Sequence, residues 1–246
     1  MKILIASPTY DGAVRVEYMK SVMASTDYLS KAGIEWDLII EPSTLLHVMR
    51  SVMASKAMMD GGYTHLLFVD TDMGFPASAV RKLIDAKKDV IGCAYPYRTI
   101  PLHEDIPSGP KTFRQAVSEV VPYAVRLRPG QQKLDVIDGV CEVGSLGTGL
   151  LLISVEALKK MVADGAAKPY GCHFPYNQWH KHPTYHGFFE HLVVDGQYIG
   201  EDYSFCKRWT EECGGQIYAV IDQEIFHVGP LPVIGRYVDR IKAGKV

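Results

Sequence analysis

The 246-residue sequence lacks the features of a membrane-spanning, disulfide-rich or dinucleotide-binding protein. No apolar run reaches the roughly 20 residues that cross a bilayer, so we expect no membrane span. The five cysteines are odd in number and include no CxxC pair, which predicts reduced thiols and a cytoplasmic location. The loop after the first apolar run has no GxGxxG pattern, which argues against a nicotinamide dinucleotide enzyme.

A strong excess of either charge is also missing. The formal net charge is −2, which argues against a broad nucleic-acid footprint. The hydrophobic content of 47% and the charged content of 22% are ordinary for a globular protein. The length permits one sizeable core, and because the sequence has no visible repeat or linker we expect a single domain over residues 1–246.

The first 95 residues alternate between apolar runs of β type and amphipathic helical segments. This β-α-β-α-β-α-β order predicts an α/β, Rossmann-like fold with a mostly parallel central sheet and helices on both faces. Strands are predicted at residues 2–6, 34–40, 65–70 and 89–94, and helices at residues 14–32, 43–60 and from Pro76 onward.

Beyond residue 95 the pattern becomes irregular. Residues 95–118 are rich in proline, which predicts a long surface loop. Residues 123–127 and 136–143 are predicted to pair as antiparallel strands. Further along, the sequence predicts strands at 150–154 and 216–221 and helices at 155–163 and 201–212.

Two carboxylates, Asp70 and Asp72, follow the apolar run His65–Val69 with one residue between them. The run predicts a buried strand, so both carboxylates lie at the edge of a parallel sheet, where open α/β folds bind their ligands. Carboxylates at this spacing suit a divalent ion that is also held by phosphate oxygens. The pattern therefore predicts a nucleoside diphosphate site, although an isolated Asp-x-Asp also occurs at ordinary turns and helix caps.

Other segments also carry candidate chemistry. Glu201 and Asp202 begin a predicted helix, either as an ordinary acidic first turn or as a base that the helix dipole keeps ionised. His227 follows a strand, either as a core or edge residue or as an Mn²⁺ ligand beside carboxylates. Residues 172–191 hold five histidines and several aromatic residues, and the paired ligands of a zinc site are missing. The segment is either an acceptor-facing loop or a surface loop whose aromatic residues fill the core.

In their order along the chain, these pieces resemble the GT-A-fold glycosyltransferases, in particular the compact phage- and virus-type members. The resemblance covers nearly the whole chain, and it depends on the order of several short motifs more than on any one of them. The motifs are residues 7–11, Arg50, residues 68–76, 147–149, 200–206 and 226–229.

The resemblance implies a nucleoside diphosphate sugar as donor, a hydroxyl group as acceptor and Mn²⁺ (or Mg²⁺) as cofactor. It implies a nucleotide-binding half at residues 1–95 and an acceptor and catalytic half at residues 120–246. The implied metal ligands are Asp70, Asp72 and His227. The implied catalytic base is Asp202 or Glu201. The implied donor-binding residues are Thr9, Tyr10, Asp11, Arg50, Asp70, Gly147 and Thr148.

Two other functions stay open at this point. A sugar-phosphate nucleotidyltransferase uses a related sheet and metal, although residues 7–12 lack the glycine- and arginine-rich loop of those enzymes. A non-enzymatic binding module organised by zinc would use the histidines of residues 172–191, and it would lose stability on chelation.

Overall fold

The computed structural model of the chain describes residues 1–99, 112–172, 180–229 and 233–245. None of the helices in these ranges combines the length and the apolar character needed to cross a membrane. The helices are α1 (Val16–Lys31), α2 (Leu46–Met59), α3 (Ala77–Asp85), α4 (Phe113–Val120), α5 (Val155–Ala163), α6 (Glu201–Lys207) and α7 (Tyr237–Lys242), with a π-helical turn at Arg208–Glu212.

The strands are short except for the first two along the chain. They are β1 (Lys2–Thr9), β2 (Glu35–Pro42), β3 (His65–Val69), β4 (Met73–Gly74), β5 (Val90–Cys93), β6 (Val125–Arg126), β7 (Val140–Val143), β8 (Ser145–Leu146), β9 (Leu150–Ser154), β10 (Pro169–Gly171), β11 (Thr184–His186), β12 (Leu192–Val194), β13 (Gln197–Ile199), β14 (Ile217–Val220), β15 (Ile225–His227) and β16 (Val233–Gly235).

A seven-stranded sheet in the order β2-β1-β3-β9-β5-β14-β7 forms the centre of the fold. Five strands of this sheet run in one direction, and only β9 and β7 run against it. The predicted α/β fold with a mostly parallel central sheet is therefore confirmed. Because β9 lies antiparallel beside β3, with Leu150 opposite Val69, the residues that precede β9 meet those that follow β3.

Apolar side chains cover both faces of this sheet. On β3, Leu66 and Phe68 belong to one core layer, whereas Leu67 and Val69 belong to the other. Helices α2, α4, α5, α6 and α7 contribute to the first layer, and α1 and α3 contribute to the second. The predicted helices on both faces are confirmed, and burial on two sides explains why the central strands are apolar throughout.

Three local predictions were wrong. Strand β1 extends to Thr9, because it pairs with β2 as far as Thr9 opposite Pro42. Residues 113–118, predicted as part of a loop, belong to α4, which begins with a capping box between Thr112 and Gln115. The predicted pairing of residues 123–127 with 136–143 does not form, since β6 pairs with β8 and β7 pairs with β14. Residues 100–111 and 173–179 of the predicted loops lie outside the described residues.

A row of aromatic rings fixes α6 against the sheet. The ring of Phe205 on α6 stacks on that of Phe189 at 4.7 Å with an interplanar angle of 9°. The ring of Phe189 in turn meets that of Phe68 on β3 edge-on at 5.4 Å. Because all three rings are fully buried, they fix the first turn of α6 relative to the end of β3.

Replacing Phe205 by alanine tests this packing. We expect Phe205→Ala to lower the free energy of unfolding by about 3–5 kcal/mol, because the ring leaves a cavity that neighbouring side chains fill only in part. Urea denaturation followed by circular dichroism measures the change. The matched control is Phe113→Ala, whose ring is 69% exposed on α4, and we expect it to change stability by less than about 0.5 kcal/mol. Similar losses in the two variants would contradict the packing described here.

Candidate functional site

Backbone pairing brings three of the predicted motifs together at one edge of the sheet. The amide of Asp70 donates a hydrogen bond to the carbonyl of Gly149 at 3.0 Å, which joins the end of β3 to the segment before β9. Strand β15 pairs with β4 so that His227 lies opposite Met73, and the amide of Val228 donates to the carbonyl of Asp72 at 2.8 Å. The sequence order predicted that these motifs share a site, and this register supplies the contacts.

Arg50 is the centre of an ionic cluster. It projects from α2, and its side chain is only 4% exposed. Its Nη1 lies 2.9 Å from Asp70 Oδ1, and its Nε lies 3.8 Å from Glu201 Oε1. The closer contact lacks the alignment of a hydrogen bond, and neither of its two buried atoms has a hydrogen-bond partner among the described residues. Although burial opposes the charge, Asp70, Asp202 and Glu201 hold the pKa of Arg50 above its ordinary value.

The pKa values of Glu201 and Asp202 shift in opposite directions within this cluster. Burial raises the pKa of Asp202 to about 7. The positive charge of Arg50 lowers this pKa, and the negative charges of Glu201 and Asp70 raise it. Burial acts on Glu201 as well, but there Arg50 prevails and lowers the pKa. A helix N-terminus tends to keep such a carboxylate ionised, whereas the loss of water at Asp202 acts in the opposite direction and raises its pKa.

Thr148, in the segment between β8 and β9, contacts the Asp202 carboxylate. Its amide and its hydroxyl face the two carboxylate oxygens at 3.4 and 3.3 Å. The side chain of Thr148 is buried, so it limits the orientations that Asp202 can take. The contact places one predicted donor-binding residue beside one predicted catalytic residue.

Asp72 faces a second pair of nitrogen groups. Its Oδ2 accepts a hydrogen bond from Arg98 Nη1 at 2.9 Å and lies 3.5 Å from His227 Nε2. The other ring nitrogen of His227, Nδ1, lies 2.8 Å from the carbonyl of Pro96 and must donate to it, which assigns the proton of a neutral ring to Nδ1. Although burial opposes it, His227 and then Arg98 lower the pKa of Asp72.

Asp72 and His227 offer two donor atoms of the kind that a divalent cation binds. A carboxylate oxygen and an imidazole nitrogen whose other nitrogen is held by a carbonyl are donors that suit Mn²⁺. Asp70 turns toward Arg50 instead, although its buried Oδ1 has no hydrogen-bond partner in the described part of the chain. Within the described ranges no three His, Cys, Asp or Glu side chains are arranged to hold a metal ion. The pair fits a cation whose other ligands come from a bound substrate and water, and the ligand role of Asp70 stays a prediction.

The loop after β1 adjoins the turn that contains Asp70 and Asp72. The amide of Arg15 donates to the carbonyl of Thr71 at 2.9 Å. Thr9 is buried at the end of β1, and its hydroxyl lies 3.5 Å from the Asp11 carboxylate. Tyr10 is exposed and offers a ring face to solvent. The position next to the carboxylates is consistent with a donor-binding loop, and the individual contacts stay predictions.

Tyr95 joins the two sides of the site, and sequence reasoning missed it. Its ring meets that of His227 edge-on at 5.3 Å, and its hydroxyl accepts from the amide of Gly149 at 3.2 Å. A Cβ at Gly147 would lie 2.1 Å from the Tyr95 hydroxyl, and one at Gly149 would lie 2.8 Å from its ring. The two glycines are therefore required by the Tyr95 ring, and a contact of Gly147 with a donor sugar stays a prediction.

Arg98 and Tyr97 are the other functional candidates that sequence reasoning missed. Both lie in the proline-rich stretch that was assigned only to a loop. The Tyr97 hydroxyl is 2.7 Å from that of Tyr203, and the Arg126 guanidinium lies 3.9 Å from the centre of the Tyr203 ring. The sequence feature that could have identified them is their position, because they follow β5 at the same sheet edge as Asp70.

The histidines of residues 172–191 do not share a site where the structure describes them. The rings of His180 and His182 are neighbours, with centroids 5.3 Å apart, but the ring nitrogens of the four histidines face different partners. Hydrogen-bond distances join His180 to the Thr184 carbonyl, His182 to Asp60 Oδ1, His186 to the Ala167 carbonyl and His191 to the Ile199 carbonyl. This arrangement gives no support to a zinc-organised module.

Among known proteins, the similarities found for this chain are to solved structures. No protein-family model matches the chain, and no curated protein matches it. Similar solved structures include A197 from STIV (19% identity, TM-score 0.47, covering 93% of this chain and 86% of that one). They also include GalNAc-T7 with UDP, GalNAc and Mn²⁺ (11%, 0.45, 96% and 43%) and a glycosyltransferase involved in glycosylation of the major capsid of PBCV-1 (15%, 0.29, 68% and 66%). Because these TM-scores are below 0.5, the functional argument depends on the residues of this chain.

The charge state of Asp202 predicts a stability effect. The folded protein retains a proton on this carboxyl up to about pH 7, whereas an ordinary aspartate releases it near 3.8. The carboxyl therefore lowers stability progressively as the pH rises from 4 to 7. We expect Asp202→Asn to match the wild type at pH 4 and to exceed its free energy of unfolding at pH 8 by on the order of 1–4 kcal/mol.

Urea denaturation at pH 4, 6 and 8 measures this difference. Asp85→Asn is the control, because Asp85 pairs with Arg81 on the exposed face of α3, and we expect little change at any pH. A variant of Asp202 that is no more stable than the wild type at pH 8 would contradict the assigned charge state.

Proposed function

We propose that the protein is a glycosyltransferase that moves a sugar from a nucleoside diphosphate sugar to a hydroxyl acceptor, with Mn²⁺ or Mg²⁺ as cofactor. One observation carries the proposal. At a single sheet edge, Tyr95 connects the Asp72–His227 pair to the segment Thr148–Gly149, which contacts a buried carboxyl, Asp202, whose pKa is about 7. Such a transfer needs a cation to neutralise the leaving diphosphate and a base that accepts a proton near neutral pH.

The donor side of the proposed reaction uses the segments that follow β1 and β3. Asp72 and His227 would hold the cation, and when bound it would neutralise charge on the leaving diphosphate as a Lewis acid. Thr9, Tyr10 and Asp11 would contact the base and ribose, since their loop is hydrogen-bonded to the turn between the two aspartates.

The acceptor side uses Asp202 as the catalytic base. Its carboxylate takes the proton of the acceptor hydroxyl as the oxygen attacks the anomeric carbon and the bond to the diphosphate breaks. A pKa of about 7 lets the group accept that proton in the physiological range. Thr148 orients the carboxylate, and the ionised Glu201 raises its proton affinity.

Arg50 acts as a positioning residue in this scheme. Its guanidinium is almost fully buried between Asp70 and Glu201, so it would hold these two carboxylates in place. Removing it would leave several negative charges together without compensation. The predicted contact of Arg50 with a diphosphate is a separate proposal.

Calorimetric titration with nucleoside diphosphates tests the donor site. We expect one family of nucleotides to bind with Mn²⁺ and to lose at least about tenfold in affinity in the presence of a chelator or in Asp72→Asn, because the cation then lacks a carboxylate ligand. Asp85→Asn on α3 is the control, and it should bind as the wild type does. Equal affinities with Mn²⁺ and with chelator would contradict metal-dependent donor binding.

The pH dependence of transfer tests the base. We expect the logarithm of the rate to rise with unit slope below pH 7 and to level off above it, because only ionised Asp202 accepts a proton. Asp202→Asn should lower the rate by about 10²–10⁴-fold and remove the inflection. Glu201→Gln should move the inflection to lower pH, since it removes a neighbouring negative charge. An unchanged profile in Glu201→Gln would contradict the coupling of the two groups.

A further inference from the structure

The side chain of Arg98 occupies the place where a cation would neutralise Asp72. Its Nη1 binds Asp72 Oδ2 at 2.9 Å, and the same oxygen lies 3.5 Å from His227 Nε2. His227 Nδ1 lies 2.8 Å from the Pro96 carbonyl, and this contact holds the ring with Nε2 toward the carboxylate. A cation bound between Asp72 Oδ2 and His227 Nε2 would take the place of the positive charge that Arg98 supplies.

Arg98 reaches this position from the solvent side. Its side chain is 50% exposed, whereas that of Asp72 is 23% exposed. A Cβ at Gly229 would lie 3.2–3.5 Å from the aliphatic stem of Arg98, so the stem runs close along the Gly229 backbone. The guanidinium can therefore leave Asp72 without disturbing the core, because only its own rotamers change.

The two arginines of the site differ in this respect. Arg50 is 4% exposed and is held between Asp70 and Glu201, so it is a fixed part of the structure. Among the described residues, Arg98 forms an ion pair with Asp72 only, and a half-exposed pair of this kind adds little stability. Of the two, Arg98 is the one that a competing cation can displace.

We propose that Arg98 is a displaceable counter-ion that competes with the divalent cation for Asp72 and then binds the diphosphate that accompanies the cation. The inference rests on the proposed function. Guanidinium groups bind phosphate oxygens through two parallel hydrogen bonds, so the displaced side chain has a matched partner beside the cation. The same positive charge thus opposes binding of the bare cation and favours binding of the cation with a diphosphate.

Removal of Arg98 should therefore have opposite effects on the affinity for the bare cation and on the affinity for the diphosphate with the cation. In Arg98→Gln we expect the affinity for Mn²⁺ alone, measured from the paramagnetic resonance signal of the free ion, to rise by about threefold to tenfold, because a competitor of that strength is removed. In the same variant we expect the affinity for inorganic pyrophosphate at saturating Mn²⁺ to fall by about tenfold, because a charge-assisted contact is lost.

Arg128→Gln is a closely matched control. Arg128 pairs with Glu142 at 2.6 Å, and the two side chains are 51% and 23% exposed, as in the Arg98–Asp72 pair. The control removes the same charge from another surface, so we expect both affinities to change by less than about twofold. Melting temperatures of the three proteins confirm that each is folded.

Two results would overturn the inference. Affinity for Mn²⁺ that falls or stays level in Arg98→Gln would show that the arginine does not compete with the cation. Pyrophosphate affinity that stays level would show that it does not receive the diphosphate. Either result leaves the proposed function intact if the wild type binds Mn²⁺ with pyrophosphate. Failure of the proposed function has a separate signature, since wild type and Arg98→Gln would then both fail to bind Mn²⁺ with pyrophosphate.

Discussion

The buried guanidinium of Arg50 is the constraint on which the site depends. It compensates Asp70 and Glu201 at distances of 2.9 and 3.8 Å, in surroundings where uncompensated charge is costly. Its attraction keeps Glu201 ionised, while burial and the remaining negative charges leave Asp202 with a pKa of about 7. One buried cation among three carboxylates therefore leaves two neighbouring residues of the same helix with pKa values shifted in opposite directions.

The fold makes this arrangement possible by placing β9 antiparallel between β3 and β5. The segment before β9 then meets the end of β3, and Thr148 reaches Asp202 while Gly149 accepts the hydrogen bond from Asp70. The small sheet of β4, β15 and β16 adds His227 from the far end of the chain. On this account, Arg50 is a fixed element of the site and Arg98 an exchangeable one. Arg98 can then move when a ligand binds without a loss of the ion pairs that Arg50 makes in the interior.

The sequence predicted most of the central fold, because strands buried on two faces are apolar throughout and the helices between them are amphipathic. It failed where pairing is non-local, as for β6 with β8. Helix α4 was missed although its capping residues Thr112 and Gln115 were visible, since the prolines nearby outweighed them. Within the site, the motifs were found in order. Tyr95 and Arg98 were not, because their contacts depend on the register of β15 with β4.

The most direct test of the central claim is anomalous X-ray diffraction from crystals grown with Mn²⁺ and a nucleoside diphosphate. The account predicts one strong manganese peak about 2.1 Å from a carboxylate oxygen of Asp72, with His227 Nε2 as a second ligand. It also predicts that the Arg98 guanidinium has moved from Asp72 to the diphosphate. Manganese bound at another place, with Arg98 still paired to Asp72, would contradict the account.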